Sequence, residues 1–379
     1  MRYLTAGESH GPGLVGILEG MPAGLRVSSE AVHRELARRQ GGYGRGQRMR
    51  IEHDEVEWLA GVRFGETLGS PIALLIRNRD FERWQERMAP QGPAAGPPFT
   101  RPRPGHADLA GALKYGRQDA RDILERASAR ETAMRVALGA LAKALLGEFD
   151  IGVASHVVAL GGVEAGPVAR IDPEAVDRSP VRCADQEAEA RMIAAIDAAQ
   201  LRGDTLGGVV EVRACGVPPG LGSHVQWDRR LDARLAEAVL SVPAIKGVEV
   251  GAAFWAAGAH GSDVHDEIFH TAGEGFTRHT NRAGGSEGGI SNGEDVVVRA
   301  AMKPLSSLRR PLRSADLLTG EPGAAQVERS DITAVPAAGV VLEAVVALTL
   351  ADLLLEKFGG DCLADLRAAY DHYLGRLRT

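Results

Sequence analysis

Apolar residues recur every third or fourth position over Arg130 to Leu146, placing Met134, Leu138, Leu141 and Leu145 on one face, and this spacing predicts a core helix. The same periodicity predicts helices over Glu187 to Ala199 and Leu231 to Leu240, and Ser28-Ser29-Glu30-Ala31-Val32-His33-Arg34-Glu35-Leu36 reads as another. Valine-rich or alternating runs predict strands at Gly13 to Leu18, Ile51 to Leu59, Ile151 to Leu160, Gly208 to Ala214 and Asp295 to Met302. The most apolar stretch, Val335 to Leu355, is interrupted by Glu343 and Asp352. It predicts a buried helix that follows Pro336 and stops at Gly359 and Gly360. Strands and helices mix without a regular βαβ rhythm, so the expected class is α+β rather than a doubly wound parallel sheet.

Composition narrows the picture modestly. A chain of 379 residues with a formal net charge of −6 lacks the basic surplus of a nucleic-acid binder, so any anion site must be locally basic. Cys183, Cys215 and Cys362 are far apart, odd in number and without metal-ligand spacing; reduced, structural thiols in a reducing compartment are expected. The start MRYLTAGESHG carries no apolar export segment, and no membrane span is indicated, so a cytoplasmic protein is expected. The Pro- and Gly-rich stretch at about 89–104 ends in Arg101, Arg103 and His106. A loop so loaded with cations reads as a mobile lid over an anion, within a single domain spanning 1–379.

Several constellations could carry chemistry. Gly11, Gly13 and Gly16 satisfy a dinucleotide-type glycine spacing, but the following residues read as a strand and not as the helix that such a motif must open. Just before them, Gly7-Glu8-Ser9-His10-Gly11 can project a hydroxyl and an imidazole from a tight turn, and a histidine beside an anion can act as a general acid. Alone, the string also suits an ordinary turn with a surface histidine. Arg38 to Arg48 (RRQGGYGRGQR) joins a helix end to a glycine-rich loop with forked donors for phosphate or carboxylate, and lacks the Lys-Ser/Thr ending of a nucleotide P-loop. Arg117, Arg121, Arg126 and Arg130 approach and enter the strongest helix, whose Ser128 and Glu131 have capping-box spacing. Gly284 to Gly293 (GGSEGGISNG) reads as a backbone-lined anion or cofactor loop, Lys303 to Ser307 sets a lysine beside two hydroxyls, and Arg329-Ser330-Asp331 suits a surface ion pair.

Taken together, GESHG at 7–11, RRQGGYGRGQR at 38–48, RPGHAD at 103–108, ERASARETAMRVALGALAK at 125–143, GDTLGG at 203–208, PAIKGVEVG at 243–251, GGISNG at 288–293, KPLSS at 303–307 and RSDITAVPA at 329–337 resemble the chorismate synthase family. The resemblance covers nearly the whole chain in order. It implies a lyase of the shikimate pathway, serving aromatic amino acid biosynthesis, that converts 5-enolpyruvylshikimate 3-phosphate into chorismate and phosphate by an anti-1,4-elimination. It also implies a requirement for reduced FMN without net redox change, a homotetramer, and a β-α-β sandwich with core helices between antiparallel sheets. NADPH as reductant, or an external flavin reductase, is compatible with it. An NADPH-dependent flavin reductase and a non-enzymatic flavin-binding sensor are the alternatives.

By the same resemblance, Arg39, Arg45, Arg48, Arg130 and Arg329 line a shared pocket for cofactor and substrate, Arg39 and Arg45 matching positions associated with NADP. His10 protonates the departing phosphate, and His106 stabilises or protonates the reduced flavin near N1 and the C2 carbonyl. Asp331 assists removal of the C6 proton, directly or through flavin N5, with Ser9 and Ser128 as polar supports. Arg126, Ala127, Ser128, Pro243, Ala244, Gly288, Lys303, Pro304, Leu305, Ser306, Ser307 and Arg329 match flavin-contact positions. Ala127 and Pro243 stand where some relatives have Ser and Asn, so only backbone contacts carry over there.

Overall fold

The computed structural model describes residues 1–46, 53–272, 275–328 and 331–377. Its first part comprises β1 (Arg2–Ala6), β2 (Gly13–Glu19), α1 (Ser29–Gln40), β3 (Glu57–Ala60), β4 (Ile72–Arg77), α2 (Arg121–Ala127) and α3 (Thr132–Gly147). Then come β5 (Gly152–Leu160), β6 (Val163–Glu164), β7 (Gly208–Cys215), α4 (Leu231–Leu240), β8 (Ile245–Val250), β9 (Val296–Met302) and α5 (Val335–Phe358). Two antiparallel sheets result, with strand orders β1-β2-β4-β3 and β8-β9-β7-β5-β6. This is the expected α+β class.

Period-two alternation explains why each sheet has an inner face. Leu14 and Leu18 of β2 and Ile72, Leu74 and Ile76 of β4 are buried, as are Val210, Val212 and Ala214 of β7 and Val296, Val298 and Ala300 of β9. Helices α3 and α5 fill the space between the sheets. A Cβ on Gly16 would meet Met134 at 2.5 Å, so β2 lies hard against α3, and one on Gly139 would meet the Ala344 Cβ at 2.4 Å, so α3 lies hard against α5. One hydrophobic cluster runs through both sheets and the helices between them.

Helix α5 is long and apolar enough to cross a membrane, yet 83% of its most apolar stretch is buried inside the protein. Its one buried acid is Glu343, which is fully enclosed and accepts from Arg38 of α1 (2.7 Å), Lys143 of α3 (2.6 Å), Ser155 of β5 (2.7 Å) and Arg182 (3.0 Å). Glu35 and Asp177 balance the remaining charge on these cations. The carboxylate therefore pins α1, α3 and α5 to the second sheet at one point. Burial would raise its pKa, but Lys143, Arg38 and Arg182 outweigh burial and hold it below the ordinary carboxylate value.

Two sequence expectations need correction. The helix expected over Arg130 to Leu146 is present, as a 3₁₀ turn over Ala129–Glu131 that runs into α3 at Thr132, but the capping expected in front of it is different: α2 ends at Ala127 and Ser128 is extended (φ −67°, ψ 142°). Ser128 caps that turn by accepting from the Arg130 N–H at 3.3 Å, but the capping box does not close, because the Glu131 carboxylate is taken by Arg135 (2.8 Å) and Thr5 (3.3 Å). The strand expected over Ile51 to Leu59 is confined, among the described residues, to Glu57–Ala60, since 53–56 run beside the site without ladder pairing.

Two substitutions test this packing. Gly139→Val should cost about 1–3 kcal/mol in urea unfolding by forcing α3 from α5. Glu343→Gln should cost on the order of 3 kcal/mol at neutral pH by leaving buried cations short of charge. Because the folded pKa of Glu343 is depressed, its contribution is complete above the unfolded value near 4.5 and is lost as pH falls through the folded value. A melting series from pH 7 to pH 3 should thus fall less steeply for Glu343→Gln than for the parent.

Candidate active site

The break at Ser128 organises the site. It lets α2 present the end of its last turn, and the following 3₁₀ turn its side chains, to the β1–β2 turn. Gly7 is needed in that turn, with φ +112° and a Cβ position only 2.4 Å from the Gly13 carbonyl oxygen. The Ser9 N–H donates to the Glu125 carbonyl (2.9 Å), and the Ser9 and Ser128 hydroxyls meet at 3.2 Å. Arg126 donates to the carbonyls of Thr5 (2.8 Å) and Gly7 (3.3 Å), closing the turn from outside.

His10 sits in this turn with its side chain 13% exposed. Its Nδ1 lies 2.9 and 3.1 Å from the Glu125 carboxylate oxygens, its backbone N–H donates to Glu125 at 2.8 Å, and its ring stacks on Trp84 at 4.0 Å. Burial would raise the Glu125 carboxyl, but the His10 hydrogen bond and charge, with Arg121, bring it below its ordinary value.

Behind the turn lies a buried arginine pair. Arg130 donates to both oxygens of Asp54 at 2.7 Å and, through Nε, to Asn78 at 2.9 Å. Asn78 in turn donates to the carbonyls of Glu8 (3.1 Å) and Gly11 (2.8 Å), transmitting the position of Arg130 to the His10 turn. Arg39, at the end of α1, donates to Thr132 (3.0 Å) and the Ala129 carbonyl (2.8 Å), while its buried Nη1 has no hydrogen-bond partner and lies 3.9 Å from Asp54. Arg45 pairs with Asp331 at 2.8 Å, and the same carboxylate accepts from the Gly46 N–H at 2.6 Å. Arg39 is pushed down to about 9, chiefly by burial, which Asp54 opposes and the like charges of Arg130 and Arg45 reinforce. It stays protonated at neutral pH. Among the described residues, Arg39, Arg45 and Arg130 face Asp54 and Asp331, and this local surplus of positive charge in a protein of net charge −6 favours an anion.

The second histidine is held independently. His106 Nδ1 lies 2.5 Å from Asp108, a fully buried carboxylate that also accepts from Arg103 at 2.8 Å. Burial would raise Asp108, but hydrogen bonds from His106 and Arg103 hold it well below the carboxylate range. Arg103 also donates to Ser307 (2.8 Å), which fastens the His106 loop to the 303–307 segment. Lys303 is pulled down by burial and by Lys246, and its N–H donates to the carbonyl of Ala244 (3.0 Å), whose φ of +70° is unusual for a non-glycine residue. Arg135 links α3 to Ser241, just before Pro243.

Seven of the sequence segments thus converge: 7–11, 38–46, 103–108, 125–135, 243–244, 303–307 and 331. Arg48 and Arg329 lie outside the described residues. Gly288 stands at a tight turn, with φ +59°. Its hairpin (286–291) meets the start of α4 through the Gly289 carbonyl and Leu231 N–H, whereas Pro243 follows the other end of α4, about 15 Å away at 1.5 Å per residue. In the 284–293 loop the N–H groups of Gly285, Ser291 and Asn292 are spent on Asn281, Leu221 and Gly285. Asp331 serves Arg45 and not merely a surface pair.

Two cavities elsewhere compete for attention. One of about 320 Å³ lies on the outer face of the second sheet, and one of about 420 Å³ lies beside Val250 and Ile268. The first sets Arg213 and Arg299 against Glu211, Glu294 and Asp295, and is therefore a poor seat for a polyanion. Sequence reading missed Asp54, Asn78 and Trp84, since none carried a motif of its own.

A sandwich that holds two histidines each on a buried carboxylate, and gathers buried arginines at the break between two helices, is the frame of an enzyme acting on a small molecule. The chorismate synthase family model matches residues 1–355. Chorismate synthases of Geobacter metallireducens (57% identical, all of both chains) and Moorella thermoacetica (60% identical, 99% of both chains) are similar throughout. A crystal structure of chorismate synthase superposes with a TM-score of 0.80 at 44% identity, covering 100% of this chain and 98% of that one. The chain belongs to the chorismate synthase family and is a carbon–oxygen lyase.

The buried pair predicts that Asp54→Ala, which strands Arg130 and Arg39, costs about 3–5 kcal/mol in urea unfolding. Inorganic phosphate should restore more stability to that variant than to the parent; equal effects would show that the guanidiniums do not seek an anion.

Proposed function

We propose that this lyase converts 5-enolpyruvylshikimate 3-phosphate into chorismate and phosphate by anti-1,4-elimination with reduced FMN, in the shikimate pathway. The supporting observation is the convergence of Arg39, Arg45 and Arg130 on the His10 turn, with more guanidinium than carboxylate charge. The substrate's phosphate and two carboxylates supply the missing negative charge.

The residues also fit a phosphorylated flavin. Lys303 stands half-buried beside another lysine, Arg39 keeps a buried donor without a hydrogen bond, and His106 presents an imidazole locked by Asp108. Arg126, Ala127, Ser128, Pro243, Ala244 and Lys303 to Ser307 would hold it, joined by Arg329. Gly288 would join them only from beyond the far end of α4. Reduced FMN held by these residues would supply electron density for cleavage of a C–O bond, with no net redox change.

His10 gives its proton to the leaving phosphate, which departs less charged. Asp331, freed in part from Arg45 when the substrate's own anions engage that guanidinium, takes up the C6 proton. His106 holds a proton toward the flavin edge, and Ser9 with Ser128 supports the His10 turn. A cytoplasmic homotetramer of single-domain subunits completes this reading. It is supported by a core continuous through both sheets and by exposed Phe254, Trp255, Ile268 and Phe276 available for assembly.

The decisive assay gives the purified protein photoreduced FMN under anaerobic conditions and follows phosphate release from 5-enolpyruvylshikimate 3-phosphate. Release is expected, and its absence contradicts the assignment. His10→Ala should lower turnover by about 10²–10⁴-fold while retaining flavin binding. Asp331→Asn should slow C6 deprotonation, and normal turnover would remove it from the mechanism. Activity with NADPH alone, compared with dithionite, distinguishes a subunit that reduces its own flavin from one served by an external reductase.

A further inference from the structure

We propose that Glu125 and Trp84 are a positioning pair that fixes the tautomer and the ring plane of His10. The proposal rests on the reading of His10 as the acid. Neither residue is assigned a part in the reaction by the sequence motifs.

Glu125 is 3% exposed, at the last turn of α2, and grips its neighbour twice, at the backbone N–H (2.8 Å) and at ring Nδ1 (2.9 Å). A carboxylate can only accept, so Nδ1 carries a hydrogen and any proton that His10 passes to a ligand leaves from Nε2. The ring plane is set from the other side. Trp84 stacks at 4.0 Å with 27° between planes, and is itself oriented by its indole N–H toward Asp80 (3.4 Å) and by the Arg121 guanidinium 5.0 Å above its ring. Arg121 joins the two clamps, donating to Glu125 at 3.0 Å and to Glu328 at 3.1 Å. A buried acid, a stacked indole and a shared arginine from two separate segments are more than a turn needs for closure, since the Ser9 N–H already closes it on the Glu125 backbone.

Among the described residues, the charged groups facing His10 are Glu125 and, one turn earlier on α2, Arg121, whose charge Glu328 shares; Asp80 stands behind Trp84, and the Glu8 carboxylate lies beside Gly11.

The test uses the full chain with reduced FMN under anaerobic conditions. Glu125→Gln should lower kcat about 10- to 100-fold and leave KM and flavin affinity within a few-fold. Trp84→Ala should lower kcat while Trp84→Phe restores most of it. In a His10→Ala background, Glu125→Gln should cost nothing further, and an equal further loss would make Glu125 merely structural and overturn the proposal. A slow His10→Ala beside a Glu125→Gln of parental rate overturns the positioning role and leaves the acid reading standing. A fully active His10→Ala overturns both. Should Glu125→Gln fail to fold, ¹⁵N spectra of the parent decide the matter: neutral His10 is expected with hydrogen on Nδ1, and the Nε2–H tautomer contradicts the proposal.

Discussion

A guanidinium carried out of water must find carboxylates, carbonyls or a ligand, and the arrangement of this protein follows from meeting that demand for Arg130 and Arg39. Asp54 supplies the charge, Asn78 and the Ala129 carbonyl supply acceptors, and each brings its own segment to the start of α3. The break at Ser128 is part of the same solution. The 3₁₀ turn that follows it leaves the Ala129 carbonyl open to Arg39 (2.8 Å) while that carbonyl also accepts from the Thr132 N–H. The cost of burying these ions is offset by the apolar sandwich around them, where each enclosed Leu, Ile or Val side chain contributes about 1.5–3 kcal/mol.

Adjacent residues of α1 show how the same chemistry yields different outcomes. Arg38 turns toward Glu343, in a cluster where Arg38, Lys143 and Arg182 meet Glu343, Glu35 and Asp177 in equal number. Arg39 turns the other way, toward a cluster in which, among the described residues, the cations outnumber the carboxylates. The balanced cluster locks α1, α3, α5 and the second sheet together. The unbalanced one draws anions, and its position is rigid because its balanced neighbour is.

Much of this was legible in the sequence. Period-two and 3.6-residue patterns located β2, β5, β7, β9, α4 and α5 to within a few residues, because one face of each is buried against the sandwich. The Glu343 interruption of α5 looked like an argument against a membrane span and proved to be the pin between layers. The helix over Arg130 to Leu146 was legible too, because periodicity registers the apolar face that follows Thr132, whereas the break at Ser128 just before it leaves no mark in that pattern. The capping spacing of Ser128 and Glu131 failed for a tertiary reason, the competition of Arg135 and Thr5 for the acid. The carboxylates that hold the histidines were inside the quoted motifs at Asp108 and Glu125, but Asp54, Asn78 and Trp84 come from segments whose local pattern says nothing of ligands. Only the fold places them.

The account turns on where the anions go, and a crystal structure with both FMN and 5-enolpyruvylshikimate 3-phosphate tests that most directly. It predicts the two ligands against each other at the His10 turn, substrate anions within hydrogen-bond reach of Arg39, Arg45 or Arg130, and His10 Nε2 facing the phosphate ester oxygen. Substrate density in the outer-face cavity beside Arg213 and Arg299, or a phosphate away from all three arginines, would contradict it.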